Sequence, residues 1–196
     1  FTFTDSFWFS AVEAEVYAAA ACMLSIMFYC GLRWEREMFT PRGDRWLILI
    51  SFIVGLSFGV HFMALLTIPA IGFLYFFKKY KTVTVKNFLI ANVVVVAILL
   101  FIFKLLLPMT MKFFSATELF FVNTIRLPFN SGTLFAGLLF ITLFYFGLKY
   151  TKKKGHTTFN TLILCVLFIF IGFSSWLMLP IRANAGTVIN ENNPNN

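Results

Sequence analysis

Four ionisable side chains stand at the edges of apolar runs, where a charge is costly. Asp5 precedes the first run, Glu15 lies just inside its start, His61 lies inside the second, and Arg182 follows the last. A carboxylate at the centre of a membrane helix costs about 2.5 kcal/mol or more, so acids this close to one call for an explanation. Together these residue types could do one kind of chemistry. A carboxylate takes a proton from a hydroxyl, a guanidinium holds a phosphate through two parallel hydrogen bonds, and an imidazole lines the pocket between them.

Each of these residues also has a plainer role to weigh. Ser10-Ala11-Val12-Glu13 fits a capping box, with Ser10 at the cap and Glu13 three residues on, just ahead of apolar sequence. That gives Glu13 a structural job and leaves Glu15 unexplained, because positions two apart on a helix point about 200° apart. Glu15 therefore faces away from Glu13 and sits deeper, as a catalytic carboxylate or as one paired with Arg182 or water. Asp5 serves either as a second acid or as the cap of an earlier helix. His61 is either a pocket residue or a hydrogen-bonded packing histidine. Arg182 lies at headgroup level beyond Trp176, holding a lipid-linked phosphate or an ordinary headgroup. Asn190 and Glu191, with Asn192 and Asn193, form a polar loop over a site or a linker. The sequence contains no P-loop, nucleophile elbow, HExxH or dinucleotide fingerprint.

The elements that must position these residues follow from composition. The chain has 196 residues, of which 60% are hydrophobic, 28 are Phe and only 12% are charged. Soluble domains carry about a quarter charged residues, so the chain reads as an all-α, polytopic helical membrane protein. The net charge of +8 is confined to short loops beside apolar runs, which argues against nucleic-acid binding. Cys22, Cys30 and Cys165 lie in apolar runs without CxxC spacing or a neighbouring His, and read as buried thiols. With no initiator Met and an unfinished polar tail, the sequence reads as an internal piece of a longer protein.

Apolar runs occur at about 14–32, 46–77, 88–107, 131–148 and 158–180. The 32 residues of 46–77 would make a helix of about 48 Å, against a hydrocarbon core of about 30 Å. Charge decides the threading. If that run crosses once, the basic residues divide eight and eight between the two faces; if it enters and returns, they divide twelve inside and four outside. The positive-inside rule prefers the return, as a short hairpin of 46–60 and 62–77 turning near Gly59-Val60-His61. About six membrane segments result, with both ends on the outer face and residues 181–196 beginning an outer loop or linker. The stretch 104–130 shows no clean period and reads as an interfacial helix with Lys104 reaching to the surface.

Three stretches, TDSFWFSAVEAEVYA, RWLILISFIVGLSFGVHFMALLTIPAIGFLYFFKKY and IRANAGTVINENNP, carry a resemblance. They resemble a family of large multi-spanning proteins of Bacteroidetes-type bacteria. That family is related to the animal transmembrane O-mannosyltransferase that modifies plexin-type domains. The resemblance spans nearly the whole chain, is strongest in the first 80 residues, and implies a GT-C-like fold. It also implies a glycosyltransferase that takes a sugar from a polyprenyl-phosphate donor on the outer face of a bacterial inner membrane and delivers it to a protein or glycan acceptor. In such enzymes the acid that serves as base usually lies in the first outer loop, which would precede Phe1. Some members of the superfamily use a divalent metal and some do not, and too few acids lie on this outer face to demand one.

Residue chemistry and resemblance converge on Glu15, with Asp5, around the acceptor base, Arg182 on the donor phosphate, and His61, Asn190 and Glu191 lining the site. Two rivals remain open. A transporter would place polar residues near the midplane and pair its broken helices, whereas only one Pro/Gly-broken run is visible. A structural or assembly component would tolerate replacement of the outer-face Glu, His and Arg.

Overall fold

The structure is a computed structural model that describes residues 4–12, 16–40 and 42–185. Every regular element among these residues is helical. They are α1 (Asp5–Val12), α2 (Tyr17–Glu37), α3 (Asp44–Ser57), α4 (Thr67–Lys79), α5 (Val85–Leu100), α6 (Leu107–Leu119), α7 (Ser131–Lys154), α8 (Thr157–Phe173) and α9 (Met178–Ala183). Short 3₁₀ turns at Phe62–Leu66 and Ser174–Leu177 lead into α4 and α9. Among the described residues, five helical stretches are long and apolar enough to cross a membrane: Tyr17–Glu37, Phe62–Lys79, Val85–Thr124, Ser131–Lys154 and Thr157–Ala183. The chain is therefore an integral membrane protein of helical type.

The helices fall into two compact units, Phe1–Tyr75 with Phe168–Asn196, and Phe76–Leu167. In the first unit α2 is the spine. Trp46 at the start of α3 hydrogen-bonds Glu37 at the end of α2, so α3 runs back along α2. The return limb then runs with α2. Thr67 Oγ1 lies 3.4 Å from Met27 Sδ, a Cβ on Gly31 would sit 3.1 Å from Ile71 Cγ1, and Trp34 stacks on Tyr75 at 6.0 Å. α3 and α4 are thus antiparallel to each other. Between them the helix is interrupted after Ser57, and His61 is extended at φ −165° and ψ 141°.

With 14 residues, α3 is too short to cross alone, and it is the most enclosed helix of the unit. Ile50, Ser51, Ile53, Val54, Gly55 and Ser57 are all buried. Its hydroxyls are satisfied locally, since Ser51 donates to Leu47 O at 2.9 Å and Ser57 to Val54 O at 2.7 Å. It crosses α8 where two glycines meet. A Cβ on Gly55 would collide with Ile169 O, and one on Gly172 with Phe52 O. In lipid, where there is little hydrophobic drive between helices, such close backbone approach supplies the association energy through packing.

In the second unit the chain differs from the sequence expectation. The helix does not stop near residue 107 and restart at the surface; it runs unbroken from Val85 to Thr124. Forty residues would measure about 60 Å, twice the hydrocarbon core. Lys104 and Pro108 look like stop signals, but a π-helical turn at Phe101–Leu106 absorbs them. Pro108 follows that turn directly inside the continuous helix, and the changed hydrogen-bond register of the π turn accommodates its missing N–H. A second π turn, Phe120–Thr124, ends the run. α7 returns antiparallel along α6, with Phe121 on Phe135 at 5.1 Å and Phe114 on Phe140 at 5.5 Å. α8 folds back along α7, and Asn160 donates to Thr151 Oγ1 at 2.9 Å and to Leu148 O at 3.3 Å.

Candidate functional site

The candidate site is built at the end of the first unit where α2 begins. Thr67, Ile71 and Tyr75 fix α4 alongside α2, and this brings the residue that precedes the return limb, His61, to the first residue of α2, Tyr17. Their rings lie 5.3 Å apart at 56°. His61 also caps the 3₁₀ turn that follows it, Nδ1 accepting from the Met63 N–H at 3.1 Å, and its own N–H donates to Ser57 O at 2.8 Å. The α3–α8 crossing carries the end of α8 to the same place. A Cβ on Gly59 would meet Ser175 Oγ at 2.9 Å and Trp176 N at 3.9 Å, and Phe58 packs edge-on to Phe173 at 5.9 Å. Ser175 Oγ is buried with no hydrogen-bond partner among the described residues.

The sequence candidates are distributed around this end as follows. His61 is half-buried within it. Arg182 lies in α9, six residues past Trp176, and is exposed. Asp5 is the first residue of α1, an exposed acid in the first turn of a helix whose N-terminus favours it. Ser10 stands inside α1, near its end, rather than ahead of a helix, and the residue that precedes α2 is Val16. Glu13, Glu15, Asn190 and Glu191 lie outside the described residues. No group of three or more His, Cys, Asp and Glu among the described residues is arranged to hold a metal ion.

Three polar features escape sequence reasoning. Tyr17 reads as one more interfacial aromatic, and only its position two residues after Glu15 could have drawn notice. At the opposite end of α2, Glu37 accepts from Arg33 at 2.9 Å through Oε1, and from Arg45 at 3.0 Å and Trp46 Nε1 at 3.1 Å through Oε2. Both guanidinium carbons lie about 5 Å from the Trp46 ring centroid, at 5.2 and 5.1 Å. The Arg33–Glu37 spacing of four was a visible signal; the Arg45 and Trp46 contacts were not. In the second unit, Glu118 caps α7 from another helix. Oε1 accepts from Asn130 N at 2.6 Å, and Oε2 from Thr133 N at 2.7 Å and Thr133 Oγ1 at 3.0 Å. Glu37 ends α2 whereas Tyr17 begins it, so the Glu37 cluster joins α2 to α3 rather than lining the end where His61 lies.

Fold and site together define a polytopic helical membrane protein whose ring pair Tyr17–His61 and α8 terminus share one end of a compact unit. Residues 1–84 match the family model described as protein O-mannosyl-transferase TMEM260 N-terminal domain, so the family resemblance is shown over that stretch. The match takes in α1 to α4, and with them both Tyr17 and His61; residues 85–196 lie outside it. No curated protein and no solved structure matches the chain.

Proposed function

We propose that this chain is part of a membrane glycosyltransferase. It moves a sugar from a polyprenyl-phosphate donor to a protein or glycan acceptor on the outer, periplasmic face of a bacterial inner membrane. The observation that carries the reading is the coincidence of the matched family stretch with a place in the fold: within residues 1–84, His61 and Tyr17 meet at the end of the unit to which the segment leading to Arg182 also comes. The family model that residues 1–84 match is described as that of a protein O-mannosyltransferase, which supports hexosyl transfer of that type as the activity we propose.

The chemistry asks for few groups. Transfer passes through an oxocarbenium-like sugar as the lipid phosphate leaves, so it needs a base for the acceptor hydroxyl and cations or donors for the departing phosphate. Glu15, with Asp5 nearby in the chain, is assigned to receiving or positioning the acceptor proton. Arg182 holds the phosphate bidentately, His61 faces the donor, and Asn190 and Glu191 are assigned to substrate binding. The hairpin of α3 and α4, with α3 too short to cross alone, is assigned the sideways entry of the polyprenyl tail from the bilayer.

The test is sugar transfer from a polyprenyl-phosphate donor by the full-length protein, wild type against Glu15→Gln at equal folded amounts. Loss of an acid–base group lowers transfer by about a hundredfold or more. Unchanged transfer in the mutant would remove Glu15 from the chemistry. An inert wild type with every donor, combined with substrate flux in vesicles, would favour a transporter instead.

A further inference from the structure

His61 is more constrained than a pocket-lining histidine has to be. Its backbone is extended, its amide is tied to Ser57 O, and its Nδ1 accepts from the Met63 N–H at 3.1 Å. A neutral imidazole that accepts at Nδ1 carries its proton at Nε2. Tyr17 lies against the ring at 5.3 Å with a tilt of 56°, and remains 54% exposed itself. One ring nitrogen is therefore occupied and the plane is held by an aromatic neighbour, which leaves Nε2–H as the group His61 can offer.

We infer that His61 serves the site proposed above as a fixed Nε2–H donor to an anionic phosphate oxygen, and that Tyr17 is the positioning residue that holds its ring. The inference rests on the glycosyltransferase reading for its substrate, not for its geometry. It also excludes a role. To act as a general base, Nε2 would need a free lone pair, so the proton would have to sit on Nδ1, facing the Met63 N–H donor to donor. The base must then be a carboxylate, and His61 belongs with Arg182 on the leaving-group side.

Asparagine and glutamine separate the two nitrogens. The Asn side-chain oxygen accepts from the amide two residues on, as Nδ1 does here, but Asn has no donor at the Nε2 position. Gln places an N–H near Nε2 and gives up the cap. The experiment uses the full-length protein, ¹⁵N-labelled at histidine, in phosphatidylcholine nanodiscs, with the His61 signals assigned by difference against His61→Asn. Undecaprenyl phosphate, inorganic phosphate and phosphatidylglycerol are added in separate arms. The expected spectrum is the Nε2–H tautomer, with undecaprenyl phosphate moving Nε2 and leaving Nδ1 in place, and with the other two additions giving no such shift.

In transfer assays, His61→Asn folds normally and raises KM for the lipid donor about tenfold, the size of one lost hydrogen bond to a charged group. Tyr17→Leu does the same, and Tyr17→Phe restores KM. An Nδ1–H tautomer, a silent Nε2 with undecaprenyl phosphate, or an equal response to phosphatidylglycerol overturns the inference. So does a loss of kcat alone in His61→Asn. An Nε2 response in a protein that transfers no sugar would leave this inference standing and defeat the proposed function. Transfer with a silent Nε2 would do the reverse.

Discussion

Gly55 of α3 and Gly172 of α8 cross backbone to backbone, so closely that a Cβ on either would collide with a carbonyl oxygen of the other helix. This crossing brings Ser175 and Trp176 to Gly59, and through them sets where α9 and Arg182 begin. Stability and site geometry should therefore fail together here. Gly55→Ala or Gly172→Ala forces the helices apart and should destabilise the folded protein by about 1–3 kcal/mol, the range for overpacking. Because the two residues touch, the double mutant should cost less than the two single effects added. Thermal unfolding in detergent measures this, and additive losses would show that the two positions do not share a contact.

Glu118 should order the start of α7 from a helix that precedes it. Its two oxygens receive the Asn130 and Thr133 amides and the Thr133 hydroxyl. Glu118→Gln replaces one acceptor by an amide that can only donate. Hydrogen exchange at residues 130–134 should then speed up while the centre of α7 keeps its protection. Equal exchange in both proteins would mean that the first turn of α7 stands without this cap.

Glu37 should couple the end of α2 to the start of α3. Glu37→Gln removes the charge that gathers Arg33, Arg45 and Trp46, and Glu37→Gln with Trp46→Phe should lower the unfolding temperature by less than the separate shifts combined. Salt should lower the wild-type unfolding temperature more than that of Glu37→Gln, because ion pairs at a helix end are open to screening. Identical salt dependence would leave the cluster without an electrostatic role.

Arg182 should act on the donor and not on the fold. It is exposed in α9, so Arg182→Gln should leave the unfolding temperature unchanged and weaken the lipid donor by about tenfold or more in KM. Arg182→Lys keeps the charge but not the paired geometry, and should recover part of the loss. Full activity in Arg182→Gln would place the phosphate elsewhere.

How much of this could be read from residues depends on how local the cause is. The helical, membrane-crossing character is written in composition and run length, and the stretch around TDSFWFSAVEAEVYA carried the family resemblance found over residues 1–84. The length of 46–77 and the distribution of Arg and Lys called for a turn near His61; the helix is interrupted after Ser57. Long-range causes left no such trace. Lys104 and Pro108 look like the end of a span, and the π turn that carries the helix past them has no sequence signature. Glu118 finds its partners twelve and fifteen residues away, beyond any helical spacing. Tyr17 and His61 meet only because α4 runs beside α2, and Thr67–Met27 and Tyr75–Trp34 are contacts between residues forty or more apart. Glu13, Glu15, Asn190 and Glu191 lie outside the described residues, and their roles rest on the sequence reading.

The most direct measurement is sugar transfer in sealed vesicles of known orientation, with the full-length protein, a polyprenyl-phosphate-linked sugar in the bilayer and a membrane-impermeant acceptor. Transfer should occur only when the face carrying His61 and Arg182 is turned to the acceptor. Glu15→Gln should cut it by about a hundredfold. Transfer from the opposite face of the membrane, or transfer indifferent to Glu15, His61 and Arg182 alike, would contradict an outer-face glycosyltransferase site at this end of the unit.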